Sequence, residues 1–242
     1  MTDTIKPRVA ICVLSREYNQ IWVDFLHSVT EYDVYFVIDD NSKIYSSDSL
    51  KVNIIQIIDE ECKNNNYYNS SIATNIKKPV ISWDKALYFF NCRCENKYEH
   101  VWFLEDDVFV KDFQTLYRIC RNNKDADLLC SYHEVNLTGN IHSGWNHWVN
   151  VIHKIGTPWA HSLICCCRLS GRLLEKINEY VQDRPLLFIE ALFNTLALHN
   201  GYKIVHPIEM TKTITWNYPW TKEEIMANPY YIYHPVKKQL IL

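Results

Sequence analysis

The sequence predicts an α/β fold with a mainly parallel central sheet flanked by helices. Three observations lead there. First, short continuous apolar runs rich in β-branched and aromatic residues recur along the first half. They lie at 8–14 (RVAICVL), 33–38 (DVYFVI), 52–58 (VNIIQII) and 100–104 (HVWFL), and read as strands buried on both faces. Second, segments with helical apolar spacing alternate with them, as β-α units require. Third, each run ends in polar or acidic residues: Ser15-Arg16-Glu17, Asp39-Asp40-Asn41-Ser42, Asp59-Glu60-Glu61 and Glu105-Asp106-Asp107. In parallel sheets ligands bind outside the carboxyl ends of the strands, so these residues mark a candidate functional edge.

Taken in order, the first strand leads to a helix over 21–29, where Ile21, Trp22, Phe25, Leu26 and Val29 share one face. Two strand runs follow. Residues 64–78 are polar and read as a loop. Ser82-Trp83-Asp84-Lys85 then opens a helix, with Ser82 as the expected N-cap and Ala86, Leu87, Phe89 and Phe90 to pack. After the acidic triplet come a helix over 113–120 and a strand over 127–132 (DLLCSY). Residues 133–159 are irregular, with His142, Trp145, His147, Trp148, His153 and Trp159 among polar neighbours; they line an acceptor site or simply pack a core. A strand is expected over 161–168 (HSLICCCR), and helices over 171–181 and 191–200, the second closed by Gly201. A short strand at 202–205 precedes a tail rich in aromatics, including Trp216, Tyr218 and Trp220. With no repeat and no convincing linker, the expectation is one domain over 1–242, with a first half at 1–132 and a second at 133–242.

Composition narrows the function classes. With 242 residues the chain can bury a sizeable core, and 48% hydrophobic with 22% charged residues is ordinary for a globular protein. A net charge of −3 gives no global pull toward nucleic acid or anionic lipid, so no nucleic-acid partner is expected. Five glycines, with neither a Walker pattern nor GxGxxG, argue against a glycine-rich phosphate loop. Nine cysteines without a CxxC pair suggest no zinc site and no disulfide framework; Cys165 and Cys167 read as small core fillers beside Leu163. Free thiols, a polar start and no run long enough to span a bilayer lead to the expectation of a cytoplasmic protein without a membrane span.

The stretch His100-Val101-Trp102-Phe103-Leu104-Glu105-Asp106-Asp107 organises the rest. Unpaired carboxylates cannot share a dry core, so the triplet must face water, a basic partner or a metal ion. Oxygen-rich acidic clusters suit Mg²⁺ and Mn²⁺. The bland alternative is a solvated acidic turn after a strand. Asp39 and Asp40 likewise precede a good turn sequence, Asn41-Ser42.

These residues and their order resemble a GT-A-fold glycosyltransferase that uses a nucleotide sugar, a Rossmann-like α/β fold. The resemblance covers most of the chain, though its motifs are short. It implies that Glu105-Asp106-Asp107 stands for the family's DxD-type motif, with Glu replacing the first Asp. Asp107 would then bind Mn²⁺ or Mg²⁺, with Glu105 or Asp106 assisting at the ribose or through water. It further implies that Ser15, Arg16, Asp39 and Asp40 contact the nucleotide and that Lys85 borders the nucleotide sugar. Glu190, in Phe188-Ile189-Glu190 at a helix start, would be the catalytic base of an inverting member. His234, in YHPVK, would complete the metal site, and Lys237 would neutralise the departing diphosphate. A helix-terminal acid and a solvated lysine are the plain alternatives for Glu190 and Lys237.

The function expected from the sequence is thus metal-dependent transfer of a hexosyl or pentosyl group. The donor would be a UDP- or GDP-sugar and the acceptor a carbohydrate or other hydroxyl. A nucleotidyltransferase making nucleotide sugars, a metal-dependent phosphodiesterase or nuclease, and a non-catalytic nucleotide-sugar-binding module stand as alternatives.

Overall fold

The computed structural model describes residues 8–46, 52–70, 78 and 80–236. Strand β1 (Val9–Ser15) is buried along its whole length and pairs in parallel with β2 (Asp33–Ile38) on one side and β4 (His100–Glu105) on the other. With β3 (Val52–Gln56), β6 (Leu128–Leu129), β9 (Cys166–Ser170) and β10 (Ile204–Val205) they build a seven-stranded sheet in the order β10-β6-β9-β4-β1-β2-β3. Only β9 runs antiparallel to its neighbours. The α/β layout with a mainly parallel sheet is therefore the one the chain adopts. Register decides where the polar ends meet: Leu14 stands level with Glu105, and Ser15 with Ile38. Ser15, Asp39 and Glu105 consequently leave the sheet side by side.

The apolar runs are continuous because helices cover both faces. Ile11 and Val13 pack with Trp22 and Leu26 of α1 (Gln20–His27) and with Leu116 and Ile119 of α4 (Gln114–Asn122). Cys12 and Leu14 pack on the other side, with Trp83 and Leu87 of α3 (Ser82–Tyr88), Leu173 and Ile177 of α5 (Gly171–Val181), and Leu192 and Phe193 of α6 (Ile189–His199). Two small strand pairs matter for the site. β11 (Ile232–Tyr233) pairs antiparallel with β5 (Phe109–Val110) and carries the tail back onto the end of β4. β7 (Glu134–Asn136) pairs with β8 (Trp159–His161). No helix among the described residues is long and apolar enough to cross a membrane.

Several local expectations need correction. The strand expected over 161–168 is split: β8 ends at His161 and β9 begins at Cys166. At Ser162, just past β8, α6 takes the polar groups instead: Asn194 donates to Ser162 Oγ, and the Glu190 carbonyl takes the Ser162 N–H. With backbone and side-chain groups satisfied this way, the segment has less need of a strand partner. The shifted strand start also separates the cysteines. Cys165 and Cys166 lie in the α1/α4 layer and Cys167 in the opposite one, all three buried. All nine cysteines are free thiols. Ser82 is the first helical residue of α3, and Ile81 occupies the N-cap position. Asp59-Glu60-Glu61 open a further helix, α2 (Asp59–Asn64), where acids oppose the positive end of the helix dipole. The strand expected over 127–132 shortens to two residues. Gly201 does close α6, one residue past the cap, with φ of 63°.

The start of α5 leaves no room for a side chain at Gly171, since an added Cβ would stand 2.7 Å from the Tyr98 carbonyl oxygen. Gly171→Ala should therefore lower the unfolding free energy by about 1–3 kcal/mol, as overpacking does. Urea denaturation of the two proteins measures this, and equal stability would contradict the packing described.

Candidate functional site

The acidic triplet turns off the end of β4, with Val108 N–H closing the turn onto the Glu105 carbonyl at 3.0 Å. Each acid has its own holder. Glu105 Oε1 accepts the Trp83 indole N–H at 2.6 Å, and the Glu105 backbone N–H is bound to the Cys165 carbonyl at 2.8 Å. Asp106 Oδ2 lies 2.7 Å from Ser15 Oγ, while its backbone carbonyl accepts the Trp22 indole N–H at 3.0 Å. Ser15 Oγ stands equally near the Glu17 carbonyl, so its single proton serves one acceptor at a time. Asp107 meets the tail: its backbone carbonyl accepts the Val236 N–H at 2.8 Å, and its Oδ1 lies 3.3 Å from His234 Nε2.

His234 arrives through the β11–β5 pairing, one residue past the strand. It is buried, and its Nδ1 lies 2.8 Å from the Thr215 carbonyl. A carbonyl only accepts, so Nδ1 carries the proton and the lone pair of neutral imidazole sits on Nε2, facing the acids. Burial works against its protonation, but Asp107, the Thr215 carbonyl and Glu105 outweigh that and pull its pKa upward. Burial raises the pKa of Glu105, as does the charge of Asp107, against the lowering effect of the Trp83 indole and His234.

Glu105, Asp107 and His234 offer ligand atoms that all lie within 4.8 Å of one another. Asp107 Oδ1 is sealed from water, with His234 Nε2 at 3.3 Å as its neighbour. Two carboxylates and one imidazole presenting Nε2 make a ligand set that fits a divalent cation.

The second cluster of acids sits beside the first, because Asp39 N–H bonds the Ser15 carbonyl and Asp40 N–H the Arg16 carbonyl, both at 2.9 Å. A cleft of about 610 Å³ opens here, lined by Arg16, Tyr18, Asp39, Asp40, Tyr45 and Lys78 among others. Asp39 is buried and its Oδ1 takes Lys78 at 2.7 Å and Lys85 at 3.0 Å. Lys85 is itself fully buried, bonded also to the Asp39 carbonyl at 2.8 Å and to Asp59 at 2.9 Å. Its ammonium thus holds Asp39 from within the protein, while Lys78 is the lysine that lines the cleft. Asp40 forms a turn with Ser42 N–H at 2.8 Å and also holds the Tyr45 hydroxyl. These contacts, Tyr45 first, keep its pKa down at about 2. Tyr45 in turn stacks on Tyr18, with ring centroids 5.2 Å apart. A larger cleft of about 860 Å³, around Lys154 and Lys176, shares no residue with these acids.

Glu190 is the second residue of α6. Burial, then the charge of Glu105, pushes its pKa up to about 8, so the two carboxylates are near enough to repel. Tyr132 feels the charge of Glu190 as well. Of the aromatic and histidine set, Trp148 and Trp159 are core residues, and Trp145 is stacked between His161, at 4.2 Å, and Phe188, at 5.6 Å. Lys237 lies outside the described residues. Sequence reasoning placed Asp59 at a strand end without a role, and missed Trp83 and Lys78 as members of the site and Thr215 as the group that sets the His234 tautomer.

No protein-family model and no curated protein sequence matches this chain. Among solved structures it is similar to an active-site mutant of LgtC, with a TM-score of 0.49 and 13% identity over 91% of this chain and 78% of that one. It is also similar to mouse xyloside xylosyltransferase 1 in its apo form (TM-score 0.43, 10% identity, 94% and 97% covered). A third is the 4-diphosphocytidyl-2C-methyl-D-erythritol synthase of Anaerococcus prevotii (TM-score 0.42, 12% identity, 93% and 96% covered). At these scores the likeness is loose and carries no functional conclusion; the side chains of the cleft have to.

Asp84, buried in the first turn of α3, has its pKa pushed to about 8 by burial, against the Ile81 N–H that it accepts, with Asp39 and Asp59 adding to the rise. Below the ordinary carboxylate pKa of about 4 it is neutral folded or unfolded, with no penalty. From there to about 8 only the unfolded chain releases the proton, so this group lowers stability as pH rises. Asp84→Asn keeps an acceptor for Ile81 and removes the titration. Its Tm advantage over wild type should grow from pH 4 to pH 8, read by thermal denaturation at both; a constant difference would contradict the shift.

Proposed function

We propose that the protein is a metal-dependent glycosyltransferase that moves a sugar from a nucleotide-diphosphate donor to a hydroxyl acceptor. The observation that carries this is the convergence of Glu105, Asp107 and His234 at the end of β4, next to the Asp39/Asp40 cleft and Glu190. Asp107, His234 and Glu105 would hold Mn²⁺ or Mg²⁺. A divalent cation there supplies positive charge for the diphosphate that leaves. Arg16 and Lys78 bring cationic side chains to a cleft whose floor is acidic, so one cavity can take both phosphate and ribose. Ser15 fixes Asp106, and the Asp39 carboxylate, held by two lysines, presents a set acceptor to the nucleotide.

Glu190 takes the proton of the acceptor hydroxyl, which makes the transfer an inverting one. Its raised pKa keeps it protonated below about 8 in the isolated protein, so its capacity as a base grows with pH. The acid limb of the kcat/KM profile should accordingly fall above the ordinary carboxylate range. Glu190→Gln should lower kcat by about a hundredfold or more while leaving donor binding intact. Loss of donor binding together with activity would deny it the base role.

The reading itself is tested by mixing the protein with UDP- and GDP-sugars, with and without Mn²⁺, and following thermal stability and nucleotide diphosphate release. One donor should stabilise the wild type only when Mn²⁺ is present, and Asp107→Ala should abolish the effect. Release of pyrophosphate instead would identify nucleotidyl transfer. Stabilisation without turnover across a panel of hydroxyl acceptors would leave a binding module, and no stabilisation by any donor would return the triplet to a solvated turn.

A further inference from the structure

Trp83 does more than fill the core. The residue is 3% exposed, and its ring packs against Phe103 and Phe193, with centroids 5.6 and 5.9 Å away. Those contacts fix the ring, and its one polar atom donates to Glu105 Oε1 at 2.6 Å. The indoles of Trp22, Trp148, Trp159 and Trp220 go to backbone carbonyls, whereas that of Trp83 reaches a side-chain carboxylate. A carboxylate has two oxygens. With Oε1 held by Trp83, Oε2 is the one that stands 3.9 Å from His234 Nε2.

Glu105 needs such a holder. Its side chain remains 37% exposed, and both Asp107 and Glu190 repel it, so solvent offers an easier place for the charge. We propose that Trp83 is a positioning residue for the metal centre: its indole N–H keeps Glu105 turned toward Asp107 and His234, ready to share a divalent cation. The inference rests on the reading of those three residues as a metal site. It adds a residue that never touches the ion. It also ties the ion to the nucleotide cleft, because Lys85, two residues along the same helix turn, holds Asp39.

Trp83→Phe keeps an aromatic ring in the core and deletes the donor. Mn²⁺ affinity, measured from the electron paramagnetic resonance signal of the free ion, should weaken about tenfold or more, as losses of supporting hydrogen bonds to metal ligands do. In a Glu105→Ala background the same change should have no further effect, which general damage to the core would not produce. Unaltered affinity in Trp83→Phe, or an equal added loss in the Glu105→Ala background, overturns the proposal. A wild type that binds no Mn²⁺ removes the metal reading and this inference together, whereas binding by the wild type with an unaffected variant removes only the inference. A measurement without substitution guards against a variant that fails to fold. On titrating wild type with Mg²⁺, the Trp83 indole N–H resonance should shift while those of Trp148 and Trp159 stay, and a stationary Trp83 signal overturns the proposal.

Discussion

Three carboxylates in succession at the end of a buried strand repel one another, and the surrounding chain is arranged around that constraint. Unpaired, such charges would cost several kcal/mol each if withdrawn from water. Each is instead met by a group from a different part of the sequence. Trp83 comes from α3, Ser15 from the end of β1, Trp22 from α1, and His234 from the tail. The remaining deficit is local: Glu105 and Glu190 are both pushed toward their protonated forms. A site with more negative charge than its neighbours neutralise is one that a cation would stabilise.

The first turn of α3 distributes that charge between two places. Trp83 reaches Glu105 after β4, Asp84 caps the turn through Ile81 N–H, and Lys85 reaches Asp39 after β2 and Asp59 at the start of α2. Parallel neighbours bring these strand ends together at one edge, and the helix crossing beneath them is where a buried donor can serve both. The same turn thus sets the orientation of the candidate metal ligand and of the acid facing the cleft. Displacing it would disturb both, which is why the packing of Trp83 against Phe103 and Phe193 belongs to the site as much as to the core.

What the sequence revealed and what it hid follow from how each contact is made. A buried parallel strand has to end in polar residues where it meets solvent, so Ser15, Asp39 and Glu105 were readable from the composition of a few consecutive residues. The pairing of Asp107 with His234 spans about half of the chain and was reached only through a family resemblance; no local pattern announces that β11 will add to β5. Lys85 stands in the expected helix, but periodicity does not say that its ammonium is buried between Asp39 and Asp59. Trp83 stood only as part of a helix opening, because nothing local says which group its one donor will meet. The run HSLICCCR misled for a related reason: apolar content cannot tell backbone bonded to a strand from backbone bonded, as at Ser162, to the Glu190 carbonyl of a neighbouring helix.

The account stands or falls on whether a divalent ion sits among Glu105, Asp107 and His234. The most direct measurement is anomalous diffraction at the manganese edge from crystals grown with Mn²⁺ and UDP. The account expects one strong peak within bonding distance of His234 Nε2 and Asp107 Oδ1, with nucleotide density running from it toward Asp39. No peak there, or a peak only at acids remote from β4, would contradict it.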